Sequence, residues 1–162
     1  MDGAPRVDNG QPLANRSTTQ YTHSVEQDVR WKQRLQSYRQ SIANLEEVYE
    51  RRQHRPLDRV ELQALIKSFE LCYETGWNLM KDWFAYQGVV GISGSRDAIR
   101  QAFSAELIVD GEGWMDMVRN RNRTAHTYNE GVAREVESLI ADRYYPLLQD
   151  FLQEMTRREA TE

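Results

Sequence analysis

The sequence predicts an all-α protein that folds as an antiparallel bundle of four to five helices. Two observations predict this fold class. Apolar residues recur every three or four positions through two long segments and again near the C-terminus, which is the period of one helix face. The only apolar run that resembles a strand, LIVDG at residues 107–111, is short and has no second strand with which to pair.

The first helix is predicted to begin at Ser24, because Ser24 and Gln27 match a capping box. Pro56 ends it, since the residue before a proline disfavours helix. Its apolar stripe has 4-3-4-3-4 spacing and consists of Trp31, Leu35, Tyr38, Ile42, Leu45 and Tyr49. Residues 1–23 lack this period and are rich in Gly, Asn, Ser and Thr, so we expect a flexible N-terminal tail.

The second helix is predicted to begin near Asp58, where Asp58 and Glu61 match another capping box, and to end at Gly88 as its C-terminal cap. A loop rich in glycine and serine follows, and Ser95 is predicted to cap a shorter third helix. The stripe of the second helix consists of Leu62, Leu65, Ile66, Phe69, Tyr73, Trp77, Met80 and Phe84.

A fourth helix is predicted from Glu112 to Ala125, and a fifth from Asn129 onward with a bend at Pro146. The folded domain is therefore predicted to be a single helical unit over residues 24–158.

Residues 159–162 are expected to form a short C-terminal tail. The stripes are wide and numerous for so small a domain, which predicts that two copies pack as a homodimer. The four tryptophans lie within helical patterns and are predicted to serve the core or that interface.

Composition narrows the class of function. The chain has 162 residues, 40% of them hydrophobic and 28% charged, which is typical of one globular domain. A net charge of -4 argues against a nucleic-acid coat protein or a polybasic membrane binder. No apolar run approaches the roughly 18 residues of a membrane span, and the N-terminus lacks a signal-peptide core, so we expect a cytoplasmic protein without membrane contact.

Thiol and metal chemistry are not indicated. The single cysteine, Cys72, lies in an apolar helical stretch and is predicted to be a small buried hydrophobic residue. His23, His54 and His126 are scattered without the spacing of metal ligands, so the sequence predicts no metal and no cofactor.

The stretch RNRTAHTY, residues 121–128, carries the densest set of reactive side chains. Helical spacing from Trp114 places Arg121 on the apolar seam, where an unpaired charge is costly. Arg121 is therefore predicted to face a cleft or to pair with a carboxylate. The second helix offers two such partners along the flank of its stripe, Glu70 and Glu74.

The neighbours of Arg121 suit phosphate chemistry. Asn122 and His126 are four residues apart and are predicted to meet on one helix face, flanked by Arg119 and Arg123 as phosphate-binding or RNA-binding residues. Histidine exchanges protons near neutral pH, and arginine stabilises charge that develops on phosphate. RNA supplies its own nucleophile, the 2′-hydroxyl, so this set favours metal-independent cleavage to a 2′,3′-cyclic phosphate. The alternative is a polar network that only holds helices together.

Residues 121–128 resemble the Arg-x4-His-x-Tyr motif, with Asn after Arg, of the HEPN superfamily in its HepT-like branch, the nucleotidyltransferase substrate-binding protein family. The resemblance extends over about residues 28–155. It rests on four further blocks in the family's order, at residues 30–45, 69–88, 95–130 and 144–155. One departure is Arg123, where the family usually has an apolar residue.

This resemblance implies a homodimeric helical bundle whose two motifs face a shared cleft. It implies a toxin–antitoxin pair with a minimal nucleotidyltransferase, in which Arg121, Asn122 and His126 form the catalytic site. The motif tyrosine, Tyr128, would receive AMP from the partner and so silence the enzyme. Two alternatives stay open: a non-catalytic substrate-binding subunit of a nucleotidyltransferase, and a purely structural helical dimer.

Overall fold

Two long antiparallel helices form the frame of the protein, and four shorter α-helices complete the bundle. The computed structural model describes the backbone of residues 14–162 and the side chains from residue 19 onward. The α-helices are α1 (Ala14–His54), α2 (Arg59–Tyr86), α3 (Ser95–Ser104), α4 (Gly111–Arg121), α5 (Glu130–Leu139) and α6 (Tyr145–Thr161). A π-helical turn joins α5 to α6, so the bundle consists of five rods. The described residues form no strand, which confirms the all-α prediction.

The predicted start of the first helix is wrong. α1 begins at Ala14, so Ser24 lies inside the helix instead of capping it, and residues 14–23 are helical. Nothing in this segment stops a helix, and the His23 and Gln27 side chains, one turn apart, are 2.9 Å from each other along it. The expectation of a tail over residues 1–13 lies outside the described residues.

The C-terminal boundary also differs from the prediction, because α6 continues to Thr161. Tertiary contacts hold this end in place. Glu159 pairs with Arg39 of α1 at 2.6 Å, and the Tyr86 hydroxyl donates to Glu162 at 2.8 Å. A four-residue tail is therefore not observed. The assignment of residues 24–158 to one domain stays a prediction.

The turn between α1 and α2 forms as its sequence predicts. Asp58 caps α2 by accepting from the backbone N–H of Glu61 at 2.8 Å, and Glu61 accepts from the backbone N–H of Asp58 at 3.0 Å. Arg55 donates to both carboxylate oxygens of Glu61, at 2.6 and 2.7 Å. The reciprocal capping box thus starts α2 and ties it to the end of α1.

We expect this turn to make stability depend on acid. The hydrogen bonds from Arg55 and from the Asp58 backbone lower the pKa of Glu61 from 4.5 to about 2. A carboxyl whose pKa is lowered by folding stabilises the protein where it is ionised, so stability is lost as pH falls from about 4.5 towards about 2. The free energy of unfolding, measured with urea at pH about 6 and about 3, should fall less between these two pH values for Glu61→Gln than for the parent. Glu47→Gln, which alters a carboxylate exposed to 69%, should behave like the parent.

The core is built from the predicted stripes. Trp31, Trp83 and Trp114 are buried, and their rings meet other aromatic rings edge-on, as with Trp31 and Trp83 at 4.8 Å between ring centres. Gly76 lets Tyr38 of α1 pack closely against α2, because a Cβ at position 76 would lie 3.1 Å from the Tyr38 ring. Burial of each large aromatic side chain contributes roughly 2–3 kcal/mol.

Cys72 is buried within this core, as predicted. Burial raises the pKa of its thiol to about 12, so the thiol stays protonated and unreactive at neutral pH.

Two helices end in the same Schellman turn with different residues. After α2, Gly88 adopts a positive φ of 84°, and its N–H and that of Val89 return to Ala85 and Phe84 at 3.1 and 2.8 Å. This confirms the predicted cap. After α3, Glu106 occupies the equivalent position with a φ of 58°, where a side chain is strained.

Replacing Glu106 by glycine should therefore stabilise the protein. The described residues give its carboxylate no ion pair to lose. Glu106→Gly is expected to raise the free energy of unfolding by about 1 kcal/mol, measured by urea denaturation. Glu106→Ala keeps the strained φ and is expected to give no such gain. Equal free energies of unfolding for Glu106→Gly and Glu106→Ala would show that the positive φ at position 106 is not strained.

Between α5 and α6 the chain winds as a π-helix, close to Pro146, where a bend was predicted. α5 begins at Glu130, next to the predicted start, and Asn129 caps it by accepting from the Val132 N–H at 3.2 Å. Pro146 has no N–H to donate to the preceding turn, and the π-helical turn Ile140–Tyr144 lies immediately before it. No helix in the described part of the chain is long and apolar enough to cross a membrane.

Candidate functional site

The fourth helix ends earlier than predicted, and the motif forms a tighter turn. α4 stops at Arg121, and Asn122–His126 form a 3-10 segment, hereafter the motif turn. Two buried threonines cause the change. The Thr124 hydroxyl donates to the Arg121 carbonyl at 2.6 Å, and the Thr127 hydroxyl donates to the Thr124 carbonyl at 2.9 Å. These bonds occupy carbonyl groups that an α-helix would use, and so favour the tighter winding.

The second helix anchors the motif turn from inside. Gln63 donates to the Thr127 carbonyl at 2.9 Å and accepts from the Thr127 hydroxyl at 3.4 Å. Gln63, Thr124 and Thr127 were not among the residues predicted for the site. The two threonines lie three residues apart in the sequence, and this spacing was the only available signal. The turn is thus fixed on its buried side, while Asn122 and His126 remain exposed.

Arg121 pairs with one of its two predicted partners, Glu74, although it is not buried on an apolar seam. Its side chain is 44% exposed, because α4 extends past the core beyond the buried Met117. Its Nε lies 2.9 Å from Glu74 of α2, and the other Glu74 oxygen accepts from the Trp77 indole N–H at 2.9 Å. Glu70 does not contact Arg121 and pairs instead with Lys67 at 3.2 Å.

Arg121 and Asn122 line a cleft of about 450 Å³ between α2, α3 and the end of α4. Ser95 contributes to this cleft instead of capping α3, whose N-cap is Gly94. Burial raises the pKa of Tyr73 in the cleft wall, against the opposing effects of a hydrogen bond with Ser95 and of the arginine charges. The full lining is Tyr73, Glu74, Trp77, Ser95, Arg96, Val118, Arg121 and Asn122.

The predicted cluster of three arginines does not form. Arg119 donates to Glu112 at 3.1 Å and to Asp116 at 3.4 Å, and neither Arg119 nor Arg123 lines the cleft. Arg123 pairs with Glu135 of α5 and donates to Asn120 at 3.2 Å. Residues two apart on a helix point in nearly opposite directions, which separates these arginines from Arg121.

A hydrogen-bonded network holds the last turns of α4 against the π-helical turn. The Tyr144 hydroxyl donates to Asp116 at 2.5 Å and accepts from the Asn120 amide at 2.7 Å. Burial opposes ionisation of Asp116, but the Tyr144 bond and the Arg143 and Arg119 charges lower its pKa overall. The π-helical turn thus positions the helix that carries Arg121.

His126 and Tyr128 lie on the outer surface of the turn, apart from the cleft lining. Their ring centres are 6.3 Å apart, and Tyr128 is 79% exposed. Among the described residues, the His126 imidazole has no hydrogen-bond partner, so no hydrogen bond joins it to Asn122. The turn therefore offers an available proton acceptor and an available phenol.

The side chains near the motif do not form a metal site. Within the part of the chain that the structure describes, no group of three or more His, Cys, Asp or Glu is placed to hold a metal ion. The chemistry that these residues can perform is proton transfer by an imidazole and charge stabilisation by guanidinium groups.

Fold and site together define a class: an α-helical bundle that presents arginine, histidine and tyrosine from one exposed turn beside a cleft. Residues 33–157 match the family described as "Nucleotidyltransferase substrate binding protein like". The probable ribonuclease HepT of Haemophilus influenzae is 31% identical over 101 residues, which cover 60% of this chain and 68% of that protein. The chain belongs to this HepT-like family of nucleotidyltransferase substrate-binding proteins.

A solved structure supports the same fold. A crystal structure of a protein from Thermus thermophilus matches with a TM-score of 0.62 and 25% identity. The match covers 72% of this chain and 96% of the Thermus chain. The helical bundle is thus shared by proteins whose sequences differ at most positions.

Proposed function

We propose that this protein is a metal-independent endoribonuclease and the toxin of a toxin–antitoxin pair. The observation that carries the proposal is the available His126 imidazole on the motif turn, which directly follows Arg121. The Arg121 Nε lies 2.9 Å from Glu74, and the two terminal nitrogens donate no hydrogen bond to a described residue. The similarity to a protein named as a ribonuclease agrees with this chemistry.

The proposed reaction needs only these side chains and the RNA itself. His126 removes the proton from a 2′-hydroxyl, and the 2′ oxygen bonds to the adjacent phosphorus. The bond from phosphorus to the 5′ oxygen breaks, and that oxygen takes a proton from an imidazolium or from water. Arg121 stabilises the charge on the phosphoryl oxygens, and Asn122 donates a hydrogen bond to one of them. The products are a 2′,3′-cyclic phosphate and a 5′-hydroxyl.

We also propose that the active form is a homodimer. In one copy, His126 does not line the cleft that holds Arg121 and Asn122, so a second copy across the motif turn would enclose the site. α2 supplies a face for this contact beside the turn, with exposed residues at 4-3-4 spacing: Val60, Ala64, Lys67 and Leu71. Val60 is 79% exposed and Leu71 is 46% exposed, which suits burial against a partner.

Tyr128 is the proposed control point. A partner nucleotidyltransferase would transfer AMP to it: the phenol oxygen bonds to the α-phosphorus of ATP, pyrophosphate leaves, and the phenol proton passes to solvent. The added phosphate carries negative charge close to His126 and on the turn that carries Arg121. RNA binding would then be blocked by repulsion and by the bulk of the nucleotide.

The test is cleavage of single-stranded RNA by the purified protein with and without a chelator. We expect equal rates in both conditions and products that end in a 2′,3′-cyclic phosphate. Loss of cleavage in the chelator, or products with a 3′-hydroxyl, would contradict the mechanism.

The second candidate is a non-catalytic substrate-binding subunit of a nucleotidyltransferase, which the description of the family favours. In that case the exposed turn serves recognition by the partner. A stable complex with a nucleotidyltransferase, together with no RNA cleavage by either the free or the bound protein, would favour this candidate over the ribonuclease.

A further inference from the structure

Almost every cation in the described part of the chain has a carboxylate partner. Only four arginine or lysine side chains described by the structure lack one within salt-bridge distance: Arg30, Arg59, Lys81 and Arg96. Of these four, Arg96 alone lines the cleft that also contains Arg121. An unpaired guanidinium at a cleft wall is available to bind an anion.

Arg96 sets the sign of charge in this cleft. The charged residues of the lining are Glu74, Arg96 and Arg121. Glu74 and Arg121 form an ion pair and cancel each other, so the net positive charge of the cleft comes from Arg96. This positive site lies on a protein whose net charge is -4, so it is a local feature of the cleft.

Glu74 pairs with Arg121 and leaves donors of the guanidinium available. The Trp77 indole N–H donates to one carboxylate oxygen, and the other oxygen lies 2.9 Å from the Arg121 Nε. The terminal nitrogens of Arg121 donate no hydrogen bond to a described residue and are available to bind phosphate. α3 and α4 thus each provide one guanidinium, and Ser95 and Asn122 add polar groups to the same cleft.

We propose that Arg96 binds the RNA phosphate that flanks the scissile one, so that the cleft holds the strand on its way past Arg121. The inference rests on the proposed ribonuclease function and adds a binding residue outside the Arg-x4-His-x-Tyr motif. The cleft volume of about 450 Å³ falls within the range of sites that hold small ligands. Arg96 is a binding residue in this scheme, and the proton transfers belong to His126.

The experiment measures binding of a labelled single-stranded RNA to full-length protein in which His126→Ala prevents cleavage. Adding Arg96→Ala should weaken binding about tenfold, because a charge-assisted contact is lost. The slope of log affinity against log salt should fall by about 0.7, which corresponds to one phosphate contact. Arg30→Ala removes an equally unpaired and exposed arginine outside the cleft and should change neither quantity. Arg96→Lys should restore part of the affinity.

Kinetics of the cleaving protein separate binding from chemistry. Arg96→Ala is expected to raise KM about tenfold and to leave kcat within about twofold, as for a contact made equally before and during reaction. Equal binding, salt slope and KM for Arg96→Ala and Arg30→Ala would overturn the assignment to Arg96 while leaving a ribonuclease that still cleaves. A His126→Ala protein that binds no RNA would overturn both proposals.

Competition identifies the source of the phosphate. AMP and inorganic phosphate are added separately to the complex with RNA. Displacement of RNA only at high concentrations of either anion supports a site for a polynucleotide strand. Arg96-dependent binding of AMP or phosphate by a protein that does not bind RNA would overturn the assignment to RNA.

Discussion

Replacing His126 by alanine is expected to lower the rate of RNA cleavage by about 100- to 10,000-fold, the usual contribution of a general acid–base group. The fold should survive, because the side chain is exposed and has no hydrogen-bond partner among the described residues. Single-turnover cleavage of a labelled RNA measures the effect, and thermal unfolding with sedimentation measures fold and assembly. This variant separates chemistry from structure better than any change at Arg121, which is paired with Glu74.

His54→Ala is the matched control for this prediction. His54 is also exposed and is the last residue of α1, outside residues 121–128. It should cleave RNA at the parental rate. Parental cleavage by His126→Ala would remove the enzymatic proposal and leave the substrate-binding subunit as the better interpretation.

Replacing Tyr128 by phenylalanine is expected to abolish AMP transfer from a partner nucleotidyltransferase, because the phenol oxygen is the only atom removed. Intact-mass measurement after co-expression should show one added AMP on the parent and none on the variant. The variant should also inhibit growth in the presence of the partner, whereas the parent should be silenced. The 79% exposure of Tyr128 makes the phenol reachable without unfolding of the turn.

Tyr21→Phe controls for the loss of an exposed tyrosine elsewhere. Tyr21 is 75% exposed on α1, outside the motif, and its removal should leave the added mass unchanged. RNA cleavage by Tyr128→Phe without the partner should stay close to that of the parent. An AMP adduct that persists on Tyr128→Phe would move the modification to another residue.

The bundle could be predicted because its signals are local and redundant. The stripe from Trp31 to Leu45 is buried as its spacing indicates. The two capping boxes show the limit of such signals. Asp58 caps a helix, whereas Ser24 lies inside one. The difference is context: Pro56 ends α1 before Asp58 and the Arg55–Glu61 pair fixes the turn, whereas residues 14–23, directly before Ser24, are helical.

The position of the candidate site along the chain could be predicted from the sequence, but the arrangement of its side chains could not. Helical spacing predicted that Arg121 pairs with a carboxylate or faces a cleft, and both are observed. It also predicted a shared helix face for Asn122 and His126, which the 3-10 winding of the motif turn contradicts. Two threonine hydroxyls change the winding of the turn, and their effect depends on burial that local spacing does not reveal. The Asn122–His126 contact was inferred from a helix predicted to reach Ala125, whereas α4 ends at Arg121, before either residue.

Charge pairing across helices was the least predictable feature. Glu70 and Glu74 lie one turn apart on α2 and are equivalent candidates in the sequence, yet only Glu74 contacts Arg121. Arg100 differs, because its partner Asp97 lies three residues earlier on α3, whereas the place of Arg96 in the cleft wall depends on how α3 packs against α2 and α4. Such choices depend on the rotation of packed helices, which the whole core sets.

The sequence by itself therefore determined the helical class, the α1–α2 turn, the buried state of Cys72 and the position of the motif along the chain. These follow from hydrophobic period, capping chemistry and residue type, all of which act over a few residues. Only the tertiary structure decided that Arg121 pairs with Glu74 and Arg123 with Glu135. It also decided that Arg96 lines the cleft without a carboxylate partner among the described residues. Guanidinium groups reach several ångströms from the backbone, so their partners are chosen by the packing of distant helices.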